Sequence, residues 1–159
     1  SMLARFLARD VAIVAATIVA GLALAPRAAG PGFVAELSGW SVGLLLFACA
    51  YLAHQGSHYL GARAMGSRVS IGTNLASGFL FSFEAEGNRL SQFVVMSVSG
   101  FAATAAAVAF FYLGLPDEYL AARVARGGAL FLALLGVVLE LPLLLYGIVR
   151  RDVPGQVAV

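Results

Sequence analysis

The sequence predicts an all-α integral membrane protein of about four transmembrane helices, with a short β-hairpin on the cytoplasmic side between the second and third. Three observations carry this. Hydrophobic residues make up 61% of the 159-residue chain and charged residues only 11%, with a mean hydropathy of +0.92. A soluble domain carries roughly a quarter charged residues, so this chain has too little charge to cover a water-facing surface. Its apolar residues gather into runs that each approach the about 20 residues needed to cross a hydrocarbon core of about 30 Å. Between the second and third runs the pattern changes from continuous to alternating.

The first run covers residues 3–25. Its apolar part is Val11 to Ala25, extended by Leu3, Phe6 and Leu7 past Arg5 and Arg9, and Pro26 stops it. A basic start with Ala23-Leu24-Ala25 as a cleavage site also resembles a signal peptide. The residues beyond Pro26 do not read as a secreted domain, which favours a retained helix. The second run spans 40–62, the third 93–115 and the fourth 127–149. Backbone groups in lipid must be satisfied within the segment, so these runs are expected as helices. The third contains Ser97, Ser99, Gly100, Ala102, Ala103, Ala105, Ala106 and Ala107. Small residues let helices approach closely in lipid, so this helix is predicted at the centre of the bundle. With no repeat or linker, residues 1–159 read as one membrane domain.

All ten basic residues are arginines. With the N-terminus in the cytoplasm, Arg5, Arg9, Arg63, Arg68, Arg89, Arg150 and Arg151 lie inside and Arg27, Arg123 and Arg126 outside, which satisfies the positive-inside rule. Both termini are therefore expected in the cytoplasm. A net charge of +2 is too small to point to a nucleic-acid partner. The single cysteine, Cys49, excludes an internal disulfide. The alanine-rich, lysine-free composition fits a GC-rich bacterial genome, and hence the bacterial inner membrane. Partners are expected among membrane lipid and transmembrane proteins or peptides, with oligomerisation left open.

Between the second and third runs, Val69, Ile71, Phe79, Phe81 and Phe83 alternate with smaller or polar residues, punctuated by Gly72, Asn74 and Gly78. Period-2 alternation with turn signals predicts a short hairpin at the cytoplasmic interface. An interfacial loop with buried aromatics fits the same residues.

The chemistry concentrates at the end of the second helix, in His54-Gln55-Gly56-Ser57-His58. Two histidines four apart lie on one helical face, one turn from each other, and can reach a single metal ion. They are the only histidines in the chain. Ionisable residues within a span are costly and are functional candidates by default. Histidines that only bond to neighbouring helices, or that hold a haem between helices, are the other uses of such a pair; the spacing favours zinc. Zinc needs a third protein ligand and keeps a fourth position open in catalytic sites. Glu140 is the carboxylate well inside an apolar run. If Arg63 and Arg150 mark one interface, His58, His54 and Glu140 lie roughly 8, 13 and 15 Å below it at 1.5 Å per residue. The second and fourth helices run in the same direction, so the three groups can meet. A neutral Glu140, or one paired with a Ser or Thr of a neighbouring helix, is the alternative.

The run His54-Gln55-Gly56-Ser57-His58-Tyr59-Leu60-Gly61-Ala62-Arg63 resembles the signature of the site-2 proteases, which are intramembrane zinc metalloproteases. That signature is His-Glu-x-x-His on a membrane helix with an Ala-Arg pair after it. The family often continues with an interfacial β-segment, which residues 69–83 fit, and a helix opening Gly-Pro-x-Ala-Asn. Ser99-Gly100-Phe101-Ala102-Ala103-Thr104 is similar to that opening, with Phe for Pro and Thr for Asn. The likeness covers roughly residues 40 to 150. It implies Zn²⁺ on His54 and His58, cleavage of transmembrane protein substrates, and substrate held extended along the β-segment by strand addition. Asn74, Phe79 and Phe81 are then the substrate-contacting candidates, with a turn role as the alternative for Asn74.

Two departures qualify the resemblance. Gln55 stands where the family has its general-base glutamate, and an amide cannot take a proton from the attacking water at neutral pH. The family's third ligand is the aspartate of Leu-Asp-Gly; the nearest counterpart is Leu145-Tyr146-Gly147, which leaves Glu140 as the substitute ligand. The expectation is a metalloprotease scaffold that is inactive as written. Either Gln55 is an engineered Glu→Gln exchange, as the Ser1-Met2 start left by tag removal would fit, or the chain is a natural pseudoprotease. A non-enzymatic subunit of a membrane complex with structural histidines is the third reading.

Overall fold

The computed structural model describes residues 1–27, 31–155 and 157–158. Among the described residues, four helical spans are long and apolar enough to cross a membrane. The first is α1 (Met2–Leu24), begun by the Ser1 hydroxyl accepting the Ala4 N–H. The second is α2 (Phe33–Ala64) and the third α3 (Leu90–Gly114). The fourth is built in two parts, α4 (Leu120–Leu135) and α5 (Leu141–Arg150), joined by a π-turn over Gly136–Glu140. Helices α2 and α4 begin well before their apolar runs, at Phe33 and Leu120. Each opening stretch carries polar groups that a hydropathy window discards: Glu36 in α2, Arg123 and Arg126 in α4. At 1.5 Å per residue α2 is about 48 Å long, more than a hydrocarbon core requires.

The centre of the bundle is α2, not the small-residue helix α3. Helix α2 packs along α1, α3 and α4, whereas the partners of α3 are α2, α4 and α5. Close approach decides this position. A Cβ added at Gly43 would lie 2.5 Å from Val124 of α4, and one added at Gly61 would run into the Ser99 hydroxyl of α3. Glycines on two sides of α2 therefore let two neighbours dock at once, while the alanines of α3 line only part of its circumference. At the end far from the histidines, Arg126 of α4 donates to the carbonyls of Phe111 (2.8 Å) and Leu115 (2.6 Å) and pairs with Asp117. This satisfies carbonyls that the C-terminus of α3 leaves open.

The predicted hairpin forms. Strand β1 (Val69–Ile71) pairs antiparallel with β2 (Phe81–Phe83), with Val69 opposite Phe83 and Ile71 opposite Phe81. Asn88 clamps its base, accepting the Arg68 N–H and donating to the Arg68 carbonyl, both at 2.8 Å. A third strand, β3 (Val157–Ala158), pairs antiparallel with the other edge of β2, giving the order β1-β2-β3. The hairpin does not lie flat at an interface. Its tip runs down beside α2, where Tyr51 donates to the Gly78 carbonyl at 2.7 Å. Arg9 of α1 donates to the carbonyls of Leu75 (2.8 Å) and Ser77 (3.3 Å), with Asp10 beside it to balance its charge. Tyr51 is about 18 Å along the helix from Arg63, so the tip reaches one turn beyond His54. Irregular backbone at that depth is tolerated because side chains of α1 and α2 satisfy its carbonyls. Phe81, Phe83 and Leu80 bury against Phe93 and Met96 of α3, Ala62 of α2, Phe6 of α1 and Leu144 of α5. This cluster ties the sheet to the helices that carry the polar groups.

Candidate metal centre

His54 and His58 project from one face of α2 and are 2% and 1% exposed. Their rings stand nearly perpendicular, 4.5 Å between centroids, and their Nε2 atoms approach to 3.2 Å. Glu140 completes the group from the fourth span: Oε1 is 3.1 Å from His54 Nε2 and Oε2 is 3.4 Å from His58 Nε2. The three residues selected by depth thus stand together. The π-turn is what aims Glu140. The Leu141 N–H bonds to the Gly136 carbonyl, five residues back, which inserts an extra residue into the turn and rotates the helix beyond it. Pro142, lacking an N–H, keeps the ordinary ladder from re-forming there.

The other ring nitrogens determine what the site can hold. His58 Nδ1 donates to the Met96 carbonyl at 2.9 Å, and His54 Nδ1 meets the Gly100 carbonyl at 3.2 Å and the Thr104 hydroxyl at 2.9 Å. A carbonyl only accepts, so a neutral His58 carries its proton on Nδ1 and presents a bare lone pair at Nε2; His54 Nδ1 can do the same toward the Gly100 carbonyl, or accept from the Thr104 hydroxyl. With both rings protonated on Nδ1, two lone pairs and a carboxylate face one another, and among the described residues Glu140 Oε2 has no hydrogen-bond partner. Acceptors converging in this way need a positive charge among them. A shared proton would draw an imidazolium and a carboxylate to about 2.7–2.9 Å. Ligands placed about 2.0–2.1 Å from a tetrahedral zinc sit about 3.3 Å from each other. The separations of 3.1, 3.2 and 3.4 Å lie close to that spacing, with the 3.1 and 3.4 Å contacts made by different oxygens of Glu140.

Access is one-sided. The Glu140 side chain is 26% exposed while both histidines are sealed, so the open side of the triad lies at the carboxylate. If the group holds a metal ion, its three residues leave a further coordination position open on that side.

No protein-family model, curated protein or solved structure matches this chain.

What the site does must be read from its chemistry. Gln55 is buried beside His54, with its Oε1 lacking any hydrogen-bond partner. Tyr146 is exposed and stacks under Arg150 at 5.8 Å, so it takes no part in the triad. Asn74 sits at the hairpin tip, where its side chain accepts the Ala76 N–H at 2.9 Å and its carbonyl the Ser77 N–H, a turn-stabilising role. Phe79 is half exposed in the same turn, whereas Phe81 is 1% exposed and packed on Tyr59. Of the three substrate-contact candidates, Phe81 has no free surface in this conformation.

Gly100, Thr104 and Met96 meet the histidine rings, and sequence reasoning does not assign them. Gly100 and Thr104 lie within the diverged helix opening, but nothing in their types announces bonds to a histidine ring; Met96 acts only through its carbonyl. A Cβ on Gly100 would collide with the His58 ring. Gly100→Ala is therefore expected to destabilise the protein by about 1–3 kcal/mol, the usual cost of overpacking, and to weaken metal binding as His58 shifts. Thermal unfolding in detergent with and without added zinc measures both effects.

Proposed function

We propose that this chain is a site-2-protease-like intramembrane metalloprotease scaffold, with His54, His58 and Glu140 holding Zn²⁺ and Gln55 in the general-base position leaving it inactive as written. The observation that carries the reading is the convergence of both histidine Nε2 atoms and the Glu140 carboxylate, 3.1–3.4 Å apart, with α3 carbonyls facing both Nδ1 atoms. Bound zinc supplies Lewis acidity, acidifying water and polarising a peptide carbonyl. The chain's own residues do the rest. Met96, Gly100 and Thr104 hold the imidazoles in the ligating tautomer. The sealed α2–α3 face excludes water from one side, and the exposed flank of Glu140 admits a substrate. Gln55 holds no proton acceptor, so the site binds better than it cuts.

In this reading the substrate is a transmembrane protein or peptide whose helix unwinds before attack, held along the β1–β2 hairpin near Asn74 and Phe79. The positive-inside balance of the arginines supports a bacterial inner-membrane protein with both termini cytoplasmic. Binding of transmembrane partners without cleavage is the second reading, and Gln55 is the residue that favours it.

Metal content tests the proposal. About one zinc per chain is expected after purification with zinc present. A ligand bound only to the folded state stabilises it by about 4 kcal/mol at a thousand times its dissociation constant. Stripping the metal with a chelator should therefore lower the thermal midpoint, and zinc should restore it. Protein that takes up no zinc and melts identically with and without it would sink the metalloprotease reading.

A further inference from the structure

We propose that the segment following α5 occupies the sheet edge through which an extended substrate would be delivered, so that the site carries its own competitor. This rests on the protease-like reading above. Strand addition needs a free edge with unpaired N–H and C=O groups. On strand β2, β1 takes one edge along its whole length and Val157–Ala158 take the other at Phe83 and Ser82.

The two edges are not equivalent. On the β1 side the hairpin meets α1, where a Cβ at Gly72 would lie 3.4 Å from Phe6. The β3 side belongs to α5, the helix that starts directly after Glu140. The chain leaves α5 through Arg151 in the left-handed conformation (φ 57°), and the Asp152 N–H bonds to the Gly147 carbonyl at 3.1 Å. Val153 packs onto the cluster of Phe81, Phe93 and Met96, and Pro154 is buried close to Gly147. The segment is thus anchored on the α5 helix and reaches β2 from that side. Strand β2 itself lies close to the triad: Phe81 packs on Tyr59, the residue after His58, and shares a cluster with Met96, whose carbonyl holds the His58 ring. Two paired residues are a short hold, and a longer extended chain with more ladder bonds would displace them while Val153 and Pro154 stay anchored.

The test uses the full chain with Cys49→Ala, Ser82→Cys and Ala158→Cys. Directly opposed antiparallel residues have Cβ atoms about 4.5–5.5 Å apart, close enough for a disulfide after a small adjustment. The probe is a fluorescein-labelled single-span peptide with a Gly-Pro break in its span, titrated against zinc-loaded protein in detergent. Oxidation should form the cross-link and weaken peptide binding at least about tenfold relative to the reduced protein, since a tethered competitor acts at high effective concentration. In the otherwise unaltered chain, Val157→Pro, a residue that cannot donate to a ladder, should loosen β3 and tighten peptide binding. Failure of the cross-link to form, or identical affinity in the oxidised and reduced states, would overturn the proposal. A peptide bound by none of these forms, with zinc in place, would instead overturn the protease-like reading on which it rests.

Discussion

Gln55→Glu is expected to raise cleavage of a single-span membrane substrate by about 10²–10⁴-fold over the chain as it stands, the contribution typical of a positioned general base. Glutamine and glutamate have nearly the same shape, so the exchange asks little of packing around a side chain that is 6% exposed. What changes is one amide nitrogen for an oxygen. Among the described residues the buried Gln55 Oε1 has no hydrogen-bond partner, a position that normally costs free energy. In the protease-like reading a carboxylate there would accept the proton that the amide cannot, and zinc held by His54, His58 and Glu140 would offset its charge. The assay is appearance of a cleaved peptide in detergent with zinc supplied, using Gln55→Glu with His54→Ala as the control. Cleavage on restoration fits an inactivating exchange at position 55. A zinc-loaded Gln55→Glu protein that still cuts nothing fits a pseudoprotease that binds transmembrane partners.

Replacing both histidines, His54→Ala with His58→Ala, should take zinc from about one per chain to background. Losing an outer-shell partner of a ligating histidine costs about 10–100-fold in metal affinity, so losing a ligand itself should cost more. The same rule predicts an intermediate variant. Thr104→Val removes a hydrogen-bond partner of His54 Nδ1 while the Gly100 carbonyl remains, so zinc should still bind at full stoichiometry but about 10–100-fold more weakly. Metal analysis with competition by a chromogenic chelator separates the three states. A double-histidine variant that retains its zinc would place the metal elsewhere, while a Thr104→Val protein with unchanged affinity would show that the Gly100 carbonyl alone fixes the His54 tautomer.

Several features of the centre are readable from spacing because they are local or derive from helical rise. His54 and His58 share a face by their separation of four. Glu140 can be paired with them because a helix converts residue count into depth, and two parallel helices that share an interface bring equal depths together. The β1–β2 pairing is readable for a similar reason: alternation is a local property of a strand. Other expectations fail where neighbours decide. The small residues of α3 point to a central helix, but centrality depends on how many sides of a helix admit a neighbour, and α2 has glycines facing both α3 and α4. Turn signals and polar groups in the hairpin point to an interfacial position. It descends past His54 because Arg9 and Tyr51, each far away in sequence, satisfy its tip carbonyls.

The sequence by itself determined the membrane class, the apolar spans, the hairpin between α2 and α3 and the three candidate ligands. These derive from composition, periodicity and helical rise, which act within a segment or along one axis. Only the tertiary structure decided that the three candidate ligands converge, that α3 carbonyls face the Nδ1 atoms of both imidazoles, and that Val157–Ala158 pair with the second edge of β2. Each of these depends on rotation about a helix axis and on backbone groups of other segments. A one-residue π-turn before Pro142 swings Glu140 by about a quarter turn, and a carbonyl has no side-chain identity by which a sequence can announce it.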